Sequence, residues 1–545
     1  MKSPRFLCSF SVFAFAILMI VPTAAQSDPV VHAAQLGAHA DALGVPAQPP
    51  TEFGPAAQKL RTKFAPAVVY DSGGPCADSV AVADLRRDGK MDLIVGDLCG
   101  SEVAVLLGNG DGTFQPAVTY STGADGAYSV AVGDVNGDHV PDLVVAELYQ
   151  NQGADSPGAV SVLLGNGDGT FQPAVVYSSG GYYAYSVAMG DLNGDGKLDL
   201  AVANAGENLK GTGSVGVLLG NGDGTFQPPV VYDSGGYGAD SVAIGDVNGD
   251  GTPDLVVANL YQSGGANSSA GVLLGNGDGT FQPAVTYDSG GSFGFSVAVG
   301  DLRGKGTLDV VVADECEGNN GGCPTQNAIG VLLGNGDGTF QSAVNYPSVG
   351  WGYDAVAIGD VNGDGIPDLV VVGECQRVGP YFSCLGTGRV NVMLGNGDGT
   401  FQAPVTYSSG APGAWSVAVE DVNGDGRPDL VVTNMNYNAE KDGTVAVLLN
   451  ETYYASKTAL TSSPNPSQVN QTVTFTVTIT PTPPNGEVVT FYNGKMEMGT
   501  GTTTSGVASL NTSFSKAGKY TIKASYPGDA FRKASSGTVR QVVNQ

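Results

Sequence analysis

Between Phe64 and Asn450 one pattern recurs seven times, and it constrains the fold more than any local motif. The unit starting at Phe171 runs FQPAVVY, then SVAMGDLNGDGKLDLAVAN, then SVGVLLGNGDGTF. Its opening phenylalanine returns at Phe64, Phe114, Phe226, Phe281, Phe340 and Phe401. The aspartate that opens its central loop stands at Asp84, Asp134, Asp191, Asp246, Asp301, Asp360 and Asp421.

Each unit holds four short runs rich in Val, Leu and Ala, divided by Gly, Asn and Asp clusters, the pattern of strands joined by turns. The 82 glycines are spread evenly among these runs, so they read as tight turns and not as disorder. A lone four-stranded sheet cannot cover both its faces. The units therefore predict an all-β, seven-bladed β-propeller in which each blade buries its neighbours. The first unit opens with a bare FAPAVVY strand and the last ends at residues 445–449 without one. The two ends are expected to complete one blade and close the ring.

The central loop reads D-x-N-G-D-G-x-x-D. Oxygen ligands at alternating positions of a tight turn converge on one point, and a donor set without sulfur or imidazole selects calcium over zinc. The expected ligand sets are Asp134, Asn136, Asp138 and Asp142; Asp191, Asn193, Asp195 and Asp199; Asp246, Asn248, Asp250 and Asp254; Asp360, Asn362, Asp364 and Asp368; and Asp421, Asn423, Asp425 and Asp429. His139 fills a Gly slot in the first of these. In the fifth unit Arg303 and Lys305 replace two ligands between Asp301 and Asp309, and a cation built into the chain is expected to substitute for the metal. In the first unit Asp84, Asp88 and Asp92 remain but Arg86 replaces the third-position ligand. Turn chemistry accounts for the Gly and Asn, though not for the aspartate four positions after the third ligand, which favours metal. The second element, GNGDGTF from Gly108, Gly165, Gly220, Gly275, Gly334 and Gly395, lacks the outer acids and reads as a hairpin turn.

These residues resemble the FG-GAP or VCBS repeats of integrin α-subunit propellers and of exported bacterial proteins, across residues 64–450. The resemblance implies that the strand before each calcium loop is innermost and that the cations lie on the lower face. Residues 456–545 resemble a bacterial immunoglobulin-like domain, with alternating runs such as TVTFTVTI fitting a β-sandwich.

Lys2 and Arg5 precede an apolar stretch at residues 6–21 and small residues at 23–25, so residues 1–25 are expected to be a signal peptide and 26–63 an Ala/Pro-rich linker. The protein is then secreted or displayed at the cell surface, with no direct membrane insertion. Six cysteines follow, and proximity favours Cys76 with Cys99, Cys316 with Cys323 and Cys375 with Cys384, among about 15 pairings that six cysteines allow. A net charge of −28 repels phosphate backbones, which argues against nucleic acid as a partner.

Strand alternation puts the loops before SVAV on the face opposite the calcium loops. Tyr128, Tyr185, Phe295 and Trp415, with Asp78, Asp240 and Asp354, share one repeat position there and are expected to ring the channel mouth; Trp351 lies nearby. Exposed rings on a rigid scaffold predict a monomeric binding protein for an extracellular glycan or surface protein. Only three histidines exist and the cysteines are committed, so a triad or zinc enzyme is poorly supplied. The alternative is a polysaccharide lyase or glycoside hydrolase using Asp78, Asp240 and Asp354.

Overall fold

The computed structural model describes residues 62–151, 156–206, 211–262, 267–317, 328–347, 355–373, 376–377, 384–435 and 443–545. The expected leader, nearly all of the linker, Trp351, Asp354, and the pairings of Cys316 with Cys323 and Cys375 with Cys384 lie outside the described residues.

Seven four-stranded antiparallel blades follow the seven units. In blade one the strands Ala77–Ala83, Asp92–Asp97, Glu102–Leu106 and Val118–Ser121 pair in chain order. Blades three and four share a continuous strand, Val230–Gly245, which is outermost in one and innermost in the other. The seventh blade is built from both ends of the repeat region: Ala414–Glu420, Asp429–Asn434 and Thr444–Leu448 take Val68–Asp71 as their fourth strand, with Val68 opposite Val447 and Tyr70 opposite Val445. The innermost strands of blades one and seven touch, and the Thr433 hydroxyl donates to the Asp78 carbonyl at 2.9 Å. The ring is closed as the unpaired terminal strands predicted.

The core lies between blades. Along Asp199–Asn204, Leu200 and Val202 pack toward blade two, while Ala201 and Ala203 pack toward blade four. Both faces of the strand are buried, so its sequence is apolar at every position between its end residues and does not alternate with polar residues. Two repeated contacts fasten neighbours. Ser186, Ser241 and Ser296 accept the backbone N–H of Val242, Val297 and Val356 in the next blade at 3.3 Å. The tyrosine of each outer strand meets a phenylalanine edge-to-face at 5.1–5.7 Å, from Tyr70–Phe114 round to Phe64–Tyr407 at the closure. Each such pair contributes about 0.5–1.5 kcal/mol beyond area burial.

Residues 457–544 form a sandwich of a three-stranded and a five-stranded sheet around Val473, Phe475, Val477, Phe491, Ile522 and Tyr526. Its Asp529–Lys533 turn rests on the central-loop face of the propeller, at blades six and seven. Among the described residues no helix is long and apolar enough to cross a membrane.

Candidate calcium loops and the opposite loop face

Each central loop follows an innermost strand and is folded by its own side chains. In blade three the Asp191 carboxylate accepts the N–H of Asp195 at 3.0 Å and of Gly196 at 2.8 Å, Asn193 Oδ1 accepts the N–H of Asp195, and Asp195 Oδ1 accepts that of Lys197. The first aspartate makes the equivalent second bond in all seven blades, at 2.6–2.8 Å. The bend needs left-handed backbone at Gly194 and Gly196, with φ of +75° and +80°. His139 adopts +66° in the slot of Gly196 and Arg87 adopts +57° in that of Gly194, so both exceptions to glycine keep the loop shape.

The last aspartate is fully buried and does more than the sequence reading allowed. In every blade its Oδ2 accepts a loop N–H at 2.9–3.2 Å, such as Leu192 to Asp199. Its Oδ1 accepts an N–H at 2.6–2.9 Å from the residue opening the GNGDGTF turn, or from Asn450 in blade seven. This clasp between loop and hairpin explains the spacing without any metal, so the spacing alone does not discriminate as the sequence argument held. GNGDGTF itself is a hairpin: Asn109 and Thr113 pair across it, and Asp111 accepts the Thr113 N–H and hydroxyl.

Two blades fill this frame with an arginine of their own. In blade five the Arg303 guanidinium lies against Asp309 at 2.6 and 3.2 Å and donates to the Gly334 carbonyl at 2.7 Å. In blade one Arg86 holds Asp92 and the Gly108 carbonyl in the same way, both at 2.7 Å. The built-in cation expected for blade five is therefore present in both. In the other five blades the position carries Asn, and in blade seven a different arginine, Arg427, pairs with Asp425 and donates to the Asn450 carbonyl at 2.7 Å. Burial pushes Asp142 up to about 6, Asp429 up to about 7 and Asp368 up to about 9, with the neighbouring loop aspartates adding to the rise against opposing backbone N–H donors. The oxygen donors of these loops are of the kind a hard divalent cation takes.

On the opposite face the expectation of exposed rings is corrected. Tyr128, Tyr185, Phe295 and Trp415 are at most 4% exposed. The register of the innermost strand shifts where each of them sits, between Ala184 and Ser186 for Tyr185. The bulge re-aims the side chain inward, so these residues cap the channel instead of flanking its mouth. Tyr128 and Tyr185 pack edge-to-face at 4.9 Å within this cap. Asp78 and Asp240 are buried in the same ring, and burial raises both carboxyls well above the usual range. Below the cap, Val82, Val132, Met189, Ile244, Val299 and Val419 line a cavity of about 250 Å³.

Half-buried aromatics do lie on this face, in two equivalent pairs. Tyr149 meets Tyr183 at 5.4 Å between blades two and three, and Tyr261 meets Phe293 at 5.0 Å between blades four and five. Tyr183 and Phe293 have φ of +55° and +62°, whereas Gly126, Gly238 and Gly413 take the left-handed conformation at the same repeat position. A bulky residue held there costs about 1–3 kcal/mol. Nothing in the sequence marked that position as left-handed except the glycines of the sister blades.

The disulfide of Cys76 with Cys99 forms as expected, with Cα atoms 5.4 Å apart, and Asp97 accepts the N–H of both residues.

Comparison with known proteins agrees with this architecture. The FG-GAP-like repeat profile matches residues 84–145, 149–202, 203–257, 316–371 and 380–432, and the bacterial Ig-like domain (group 3) profile matches residues 460–544. Integrin alpha pat-2 of Caenorhabditis elegans is 29% identical over 240 residues, 37% of this chain and 19% of that protein. Integrin alpha-V of Gallus gallus is 30% identical over 219 residues, 37% of this chain and 21% of that protein. The matches thus span about a fifth of each relative. Among solved structures, the extracellular domain of a hybrid two-component system from B. thetaiotaomicron aligns over 90% of this chain and 59% of its own, at 7% identity and a TM-score of 0.37. With FG-GAP-like profile matches over half its length, the chain belongs to the FG-GAP-like repeat family and carries a C-terminal bacterial Ig-like domain.

Proposed function

We propose that the protein is an extracellular, calcium-loaded binding or adhesion protein, in which cations in five loops stiffen the propeller and the opposite face holds a glycan or surface-protein ligand. The observation that carries the first half is the arginine that fills the loop in blades one and five. Where an arginine stands at the third position of the loop it bonds the buried aspartate and the hairpin carbonyl, and where Asn stands there instead that aspartate has backbone N–H donors and no cation against it. Asp134, Asp191, Asp246, Asp360 and Asp421, with their partner ligands, would hold the ions. Kinship with integrin alpha chains supports both cation binding and an extracellular ligand.

The second half rests on Tyr183 and Phe293, whose left-handed backbone holds an aromatic pair at two equivalent places on the loop face. Rings held this way offer stacking faces at low entropic cost. Asp78 and Asp240 are buried, so they do not present the open carboxylate pair that a glycoside hydrolase needs. The test is a glycan array and a panel of surface proteins probed with calcium-loaded protein. Replacing Tyr149 and Tyr261 together by Ala should abolish the binding found and leave the melting temperature within a few degrees. Full retention of binding by that variant rejects this face.

A further inference from the structure

The blade-six loop differs from its sisters in being roofed. Gly194 in the blade-three loop has open space where a side chain would stand, but at Gly363 a Cβ would come within 2.2 Å of the Phe531 ring. Phe531 belongs to the Ig-like domain and is 8% exposed. The next residue, Arg532, is buried and donates to the Gly363 carbonyl at 2.7 Å. Asp529 sets this hairpin: it accepts the N–H of Phe531 and Arg532, takes the Tyr526 hydroxyl at 2.6 Å and pairs with Arg532 at 3.1 Å. Tyr454, in the connection between the domains, exchanges backbone hydrogen bonds with Phe531 and Lys533. Alongside, Arg427 of blade seven reaches the Ala530 carbonyl at 2.8 Å while pairing with Asp425.

Arg532 thus grips the loop from outside. Arg86 and Arg303 bond the last aspartate of their loops, but Arg532 bonds a carbonyl between Asn362 and Asp364, and the carboxylates of Asp360, Asp364 and Asp368 accept backbone N–H groups of their own blade as in the sister loops. Asn362 is 1% exposed, so the ion's way out is covered by the Ig-like domain.

We infer that blade six is an interdomain cation site: its ion is trapped under the Asp529–Lys533 hairpin, and ion binding and seating of the Ig-like domain stabilise each other. The inference rests on the calcium-loop reading above. An ion that fixes the left-handed backbone at Gly363 also fixes the carbonyl that Arg532 bonds, and linkage makes the effect reciprocal.

The test uses the full chain loaded with calcium and mixed with a chromophoric chelator. One ion should leave about tenfold more slowly than the rest, because its release waits on local opening of the interface. Phe531→Ala, and separately Arg532→Gln, should bring that slow phase into the fast one with the total ion count unchanged. In the reciprocal arm, Asp360→Ala with Asp364→Ala should free the Ig-like domain, read as a larger radius of gyration in X-ray scattering. The matched pair Asp191→Ala with Asp195→Ala should lose one ion and leave the domain seated. Release in a single phase indifferent to Phe531, or a domain equally seated in the blade-six variant, overturns the inference while leaving the calcium loops intact. Absence of any bound calcium overturns both readings.

Discussion

Arg303 shows how much one side chain decides. It is 9% exposed and neutralises Asp309, which is fully buried. Arg303→Met would leave that carboxylate and the Gly334 carbonyl without their partner, and a broken buried pair costs about 3–5 kcal/mol. Denaturant unfolding should show the loss, and a change under about 1 kcal/mol would mean the pair is dispensable. Glu147 makes a second case. It occupies the strand-end position where Asn204 and Asn259 accept Ser179 and Ser234 hydroxyls at 2.6 Å, and burial pushes its carboxyl up to about 8. A raised folded value means the fold holds the proton more tightly than the unfolded chain. Stability is then full below the ordinary glutamate range and falls as pH climbs toward about 8. Glu147→Gln should flatten that decline, and a melting curve equally steep between about pH 5 and 9 in the variant would count against it.

At the scale of the strand and turn, much was readable in advance. The blade strands, the hairpin at GNGDGTF and the shape of the central loop follow from short-range chemistry: apolar runs, glycine in left-handed turns, and aspartate accepting nearby N–H groups. The direction of Tyr128, Tyr185, Phe295 and Trp415 was not readable. It depends on a one-residue bulge, and a bulge reverses the face of a side chain without changing its neighbours in sequence. The same local pattern hid the clasp made by the last aspartate, because its partner, such as Gly220 for Asp199, lies in the next turn of the blade. The edge-to-face contacts joining blades were visible only as a recurring Phe and Tyr without a stated use. Phe226→Leu, which keeps an apolar side chain near Tyr177 but removes the ring pair, should cost about 1 kcal/mol in chemical denaturation. No measurable change would deny these contacts a role in fastening blades.

For the whole molecule, closure and charge are linked. The ring is sealed by pairing Val68–Asp71 with Thr444–Leu448, so a chain beginning after Asp71 leaves an open edge and should lose cooperative melting. A chain with 52 acidic against 24 basic residues places many of those acids in the central loops, where Arg86 and Arg303 pair with them in blades one and five. At about 100 times its dissociation constant, a single bound ion contributes about 2.7 kcal/mol, so chelation should lower the melting temperature measurably.

The most direct measurement exploits blade one. Arg87 already holds the left-handed backbone there, and Arg86→Asn would put an amide oxygen between Asp84 and Asp88 and so restore the ligand row that ends at Asp92. Calcium per chain, counted by equilibrium dialysis with elemental analysis, should be about five in the native protein and about one more in R86N. A native protein that binds none, or a variant that gains none while remaining folded, would contradict the claim that arginine and calcium are alternative fillings of one loop.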